Sequence, residues 1–141
     1  MQFTAFSQEK KNINNIDFLN MEHAKKVLQF HESFPMYQQT PLTDLKKLAE
    51  KLGIKGFYVK DESYRFGLNA FKVLGGSFAI GSYIAKKLDM DISKLSYEKM
   101  VSDKIRNKLG DITFITATDG NHGRGVAWTA KQLKQKAIVY M

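Results

Sequence analysis

The sequence predicts an α/β fold, a parallel sheet with flanking helices that is incomplete at the C-terminus. The first observation behind this is the last thirty residues. There "DITFITAT" reads as a strand, "GVAWTAKQLKQ" as a helix with Val126, Ala127, Ala130 and Leu133 facing inward, and "KAIVYM" as another strand. Strand, helix and strand in so short a span imply parallel pairing through a right-handed crossover. The second is that upstream segments carry apolar residues at helical spacing, punctuated by glycine and proline. The third is bulk composition: 141 residues, 43% apolar and 26% charged, describe one globular domain. Parallel sheets are normally larger than the roughly three strands legible here and are covered on both faces. With Met141 falling inside a strand, a piece of a longer enzyme is expected.

Taken in order, "FLNMEHAKKVLQFHESF" places Leu19, Ala24, Val27, Leu28 and His31 near helical spacing and predicts an amphipathic helix. "YQQTPLTDLKKLAEKLG" follows as a proline turn, a helix capped by Thr43 with Leu45, Leu48, Ala49 and Leu52 on one face, and a stop at Gly53. "GFYVKDE" is rich in β-formers and reads as a strand leading into the irregular "SYRFGLN". From Asn69, residues Ala70, Val73, Leu74, Ser77, Ile80, Ile84 and Leu88 recur at steps of three and four, predicting a helix over 69–88. "DISKLSYEKMVSDKIRNKLG" predicts one further polar helix ending at Gly110.

Composition excludes several classes of function. No run approaches the ~18 consecutive apolar residues of a membrane span, and the first fifteen residues lack the apolar core and small-residue site of a secretion signal, so a cytoplasmic location is expected. The absence of cysteine removes disulfides and thiolate chemistry, and with His23, His31 and His122 as the imidazoles no metal centre is expected. The net charge of +8 raises the question of nucleic acid. Lysines dominate the 22 basic residues, however, and are scattered in pairs among acidic ones; Arg65, Arg106 and Arg124 are the arginines. Phosphate forks and base readout favour arginine, so solvated helix faces are the better account and no nucleic-acid partner is expected.

Two stretches hold the chemistry. "TATDGNHGRG", residues 116–125, follows a predicted strand, and in open α/β sheets ligands bind beyond the carboxyl ends of strands. Gly120, Gly123 and Gly125 would allow positive φ and close backbone approach, and the helix beginning near 124 would present its positive end to an anion. The G-x-x-G-x-G spacing is not the dinucleotide fingerprint and has no P-loop lysine. Asp119, Asn121 and His122 read either as turn formers and caps or as reagents. In "FGLNAFKVLGGSF", Lys72 falls in the first helical turn with Gly75 and Gly76 on its face. Glycine inside a helix costs on the order of 1 kcal/mol relative to alanine, and room for a flat cofactor ring would compensate. A partly desolvated lysine amine at a helix N-terminus has a lowered pKa and suits covalent catalysis. The alternative is one more surface lysine.

Together, "VKDESYRFGLNAFKVLGG" and "TATDGNHGRGVAWTAK" resemble the N-terminal part of the fold-type II pyridoxal-phosphate enzymes, the group of serine/threonine dehydratases, threonine synthase and the tryptophan synthase β subunit. Within that group the strings "KDES-RFGLNAFK-LGG" and "TDGNHGRGVAW" are similar to the ammonia-lyases of 2,3-diaminopropionate, over residues 16–141. The resemblance implies pyridoxal 5′-phosphate held covalently by Lys72, with Phe71 and Asn121 as cofactor-binding residues. It implies that Thr118, Asp119, Gly120 and His122 surround the substrate. Dehydratases typically have serine where this chain has Ala70 and Thr118, in Ser-Phe-Lys and a Ser-x-Gly-Asn-His loop; Asp119, at the variable position of that loop, is the departure that marks the ammonia-lyases.

The implied reaction is β-elimination giving pyruvate and ammonia, with Lys72 as base on one face of the substrate and Asp119 on the other. Residues 1–88 would begin the large domain and 89–141 the small one. The glycine-rich phosphate loop and the partner of the ring nitrogen come later in such enzymes, so this chain alone is expected to be inactive, and the complete enzyme to be a homodimer acting on a small amino acid. The alternatives are a serine/threonine dehydratase-like lyase, or a non-catalytic α/β module that binds an anion or serves as scaffold.

Overall fold

The computed structural model describes residues 16–17, 19–118 and 120–141. Helix α1, Met21–Glu32, starts where Asn20 leaves the helical region and its side chain accepts the backbone N–H of His23 at 2.8 Å. It buries Phe30 and His31, while Leu19 and Leu28 stay exposed along an open cavity. Strand β1, Leu42–Asp44, pairs antiparallel with β2, Tyr58–Lys60, in the register Thr43↔Val59. Thr43 is therefore a strand residue and not the predicted helix cap. Helix α2, Lys46–Leu52, begins at Leu45 without a side-chain cap, because the Leu45 N–H is bonded to the Phe57 carbonyl at 2.8 Å and continues the β1–β2 ladder. It ends as predicted, with Gly53 left-handed at φ 65°.

A 3₁₀ turn, Glu62–Gly67, follows β2 and leads into helix α3, Val73–Lys87. The predicted helix began at Asn69, but Asn69 is left-handed at φ 52°, so regular helix starts four residues later. The buried positions Val73, Ser77, Ile80, Gly81, Ile84 and Ala85 follow the 3.6-residue period, on a helix that packs against α1 and against the helix Asn121–Gln132. The single polar helix predicted beyond it is three pieces: a 3₁₀ turn at Ile92–Lys94, α4 at Tyr97–Val101 and α5 at Asp103–Leu109. The two breaks lie where Ser96 and Ser102 turn their side chains onto backbone N–H groups and leave the helical region, as Asp91 does at the start of the first piece.

Strand β3, Thr113–Ala117, helix α6, Asn121–Gln132, and strand β4, Lys136–Tyr140, form the predicted unit, with β3 and β4 parallel from Thr113↔Lys136 to Ala117↔Tyr140. Among the described residues the strands thus form two separate two-stranded sheets. Helix α6 is packed between β3–β4 and α3. An aromatic cluster closes the interior. Phe34, 1% exposed, has ring centroids of Tyr97, Phe30, Phe66 and Trp128 between 4.9 and 6.2 Å away. Burial of such a ring contributes about 2 kcal/mol or more. No helix among the described residues is long and apolar enough to cross a membrane.

Candidate active site

Lys72 sits at the entrance to α3, in αR conformation at φ −62° and ψ −18°, and its carbonyl accepts the Gly76 N–H at 3.3 Å. It is the residue before the first regular turn, not within it. Its side chain is exposed, as is the neighbouring Phe71 at 58%, so the desolvation expected around the amine is not supplied by the described residues. The two glycines on its helix have separate roles. A Cβ at Gly75 would meet nothing within 4 Å, which leaves open room beside the lysine, whereas one at Gly76 would touch Val126 Cγ2 at 3.7 Å on α6.

The segment after β3 forms the opposing wall. Thr118 continues the parallel ladder, its N–H bonding the Tyr140 carbonyl at 2.9 Å. Gly120 caps α6, a Cβ there would also meet open space, and its carbonyl accepts the Arg124 N–H at 3.0 Å. The helix therefore starts at Asn121, three residues earlier than expected, which puts Asn121 and His122 in its first turn with both side chains exposed. Asp119 lies outside the described residues. Neither α3 nor α6 has an acidic side chain in its first turn, so no described carboxylate of either first turn offsets the positive helix ends.

Gly123 and Gly125 do not serve the purpose first expected. Neither has positive φ; each replaces a side chain that would collide. A Cβ at Gly123 would lie 2.6 Å from Val139 Cγ1 and 3.1 Å from Thr118 Cγ2, so glycine lets α6 settle onto the sheet. A Cβ at Gly125 would lie 2.8 Å from Val73 Cα and 3.2 Å from Val73 N, so glycine lets α6 touch the backbone of α3 next to Lys72. Asn121 is one helical turn, about 6 Å of rise, before that contact. The lysine end of α3 and the asparagine end of α6 are thereby held at one place. A cavity of about 510 Å³ lies elsewhere, lined by Leu19, His23, Val27, Tyr37, Arg65 and Leu74.

A buried ion pair in the turn that precedes the lysine segment was not anticipated. Arg65 is 6% exposed and holds Glu62 with two bonds, Nε to Oε2 at 2.8 Å and Nη2 to Oε1 at 2.9 Å. It also donates to the Gln38 carbonyl at 3.0 Å and the Thr40 hydroxyl at 3.2 Å, and its guanidinium lies 5.4 Å from the Tyr37 ring centre. Lys60 donates to the Thr40 carbonyl. The Arg65 guanidinium bonded to Glu62 holds its carboxyl below the usual carboxylate range. Phe66, left-handed at φ 50°, then stacks on Trp128 of α6 at 4.8 Å. Acidic and basic residues three apart, with an aromatic beside the arginine, were the available sequence signal for this clamp.

The chain belongs to the pyridoxal-phosphate dependent enzymes, whose family model matches residues 34–141. Within the class it is similar to diaminopropionate ammonia-lyase. The Salmonella typhimurium protein of that name is 52% identical over 126 residues, covering 89% of this chain and 31% of the relative. The Escherichia coli one is 50% identical over 123 residues, 86% of this chain and 30% of the relative. A crystal structure of the Escherichia coli enzyme in complex with D-serine aligns with a TM-score of 0.80 at 49% identity, over 88% of this chain and 31% of that one. The chain thus spans about a third of the length of these relatives.

Proposed function

We propose that the protein carries the lysine and asparagine walls of a lyase that eliminates ammonia from 2,3-diaminopropionate, with pyruvate and a second ammonia as final products after water is added. The observation that carries the reading is the contact of Gly125 with the Val73 backbone, which brings the end of α3 that bears an exposed lysine next to the helix that bears an exposed amide in its first turn. The residues fit pyridoxal 5′-phosphate. Lys72 offers an accessible primary amine, Gly75 leaves space for a ring, and Asn121 offers an amide to a ring oxygen, with the Phe71 ring alongside. When bound, the cofactor draws electron density away from the substrate α-carbon.

Each side chain then has a task. Lys72 Nζ would hold the cofactor, and as a free amine would accept the α-proton from one face of the substrate. The Asp119 carboxylate accepts it from the other, so that both stereoisomers react. Thr118, Gly120 and His122 orient the substrate carboxylate toward the α6 N-terminus, where backbone N–H groups favour an anion. Departure of the β-amino group as ammonia balances loss of the α-proton. The test is to add pyridoxal 5′-phosphate to the protein, reduce with borohydride and map the modified lysine by mass. Label on Lys72 that Lys72→Ala abolishes is expected; label spread over many lysines would sink the reading. In the full-length protein, Asp119→Asn should harm turnover of one stereoisomer far more than the other, and equal loss would remove the two-face assignment.

A further inference from the structure

We infer that Gly125 is a positioning residue that sets the separation between the Lys72 end of α3 and the Asn121 end of α6. The inference rests on the roles proposed above for those two side chains. At 2.8 Å from Val73 Cα and 3.2 Å from Val73 N, a Cβ at position 125 would meet backbone, which cannot rotate aside as a side chain can. Ordinary carbon contacts lie near 3.5–4.0 Å, so even alanine would part the helix ends by roughly 1 Å. Other glycines on these helices do different work. Gly76 would make an ordinary 3.7 Å contact with Val126, and Gly123 faces side chains of the sheet. Val73 adjoins Lys72, and Asn121 is one turn from Gly125, so a displacement at this crossing passes directly to the pair. A misplacement of about 1 Å in a catalytic constellation can cost on the order of 100-fold in rate.

The experiment has two arms. Structure determination of Gly125→Ala reads the α3–α6 separation without any cofactor, and an increase of roughly 1 Å is expected from the contact distances. Val73→Ala should leave the separation unchanged, because the contact is with Val73 Cα and N. That second variant decides the matter if Gly125→Ala does not fold. Borohydride trapping with pyridoxal 5′-phosphate is the other arm. Gly125→Ala should slow labelling of Lys72 by on the order of tenfold or more, while Leu109→Ala, a core change in α5 that also lowers stability, should not. An unchanged separation in Gly125→Ala, or a changed one in Val73→Ala, overturns the inference. Failure of the wild-type chain to label at Lys72 overturns instead the proposed function, and the structural arm stands apart from it.

Discussion

Glu62→Gln tests whether the Glu62–Arg65 clamp in the turn after β2 is a structural bond or a surface ornament. The Arg65 side chain is 7% exposed and that of Glu62 20%, and the carboxylate accepts both guanidinium bonds. Glutamine would turn one of the two acceptors into a donor facing Nε or Nη2, leaving a buried cation short of a partner. Charge-assisted bonds contribute about 1.5–3 kcal/mol, and breaking one side of a buried pair costs more than its net worth. A loss of about 3 kcal/mol is expected, or about 10 °C in Tm for a domain of this size. The internal comparison is Lys136–Asp111 at 3.1 Å, whose side chains are 70% and 69% exposed; Asp111→Asn there should cost no more than about 1 kcal/mol. Circular dichroism melts at pH 7 read both. The sign with pH follows from the depressed Glu62 carboxyl. Its contribution is present above the ordinary value of about 4.3 and is lost as pH falls through the lower folded value. The gap between wild type and Glu62→Gln should therefore close in acid. Equal losses for Glu62→Gln and Asp111→Asn, or a gap independent of pH, would refute the reasoning.

Other outcomes follow from the same geometry. His31 is buried, with Nδ1 2.9 Å from the Val27 carbonyl and Nε2 3.0 Å from the Ser77 hydroxyl, and burial pushes its pKa down. Its neutral form is the folded one, so stability should be intact above about pH 6.5 and fall as pH drops toward the folded value; chemical melts of His31→Gln should lack that slope. Gly81→Ala would put a Cβ 2.5 Å from the Phe30 ring, itself 3% exposed and edge-on to Phe34 and Phe78. Overpacking there should cost about 1–3 kcal/mol in urea unfolding, and a neutral change would mean the ring has somewhere to go. Gly123→Ala should be similarly destabilised but partly rescued by Val139→Ala, because the obstacle is a side chain, and absence of rescue would place the strain elsewhere.

The parts of this fold that were legible depend on neighbours in sequence. The burial period of α3, the left-handed stop at Gly53, the end at Gly110 and the parallel β3–α6–β4 unit are each written within a few turns of chain. The parts that were not legible depend on partners far away. Strand β1 has all three residues exposed, so no alternation announces it, and its ladder is made with a segment some fifteen residues on. Glu62 and Arg65 look like an ordinary surface pair until Gln38 and Thr40 come to enclose the guanidinium. The glycines make the same point about the site. A glycine signals either a backbone angle that other residues avoid or a Cβ that must be missing, and sequence cannot separate the two. At Gly120 and Gly75 the space is open, in keeping with room for a ligand; at Gly123 and Gly125 it is filled by Val139 and by the Val73 backbone. These four glycines are therefore half open room and half packing contact. The contact half has the longer reach, since it sets where Lys72 and Asn121 stand before any ligand arrives.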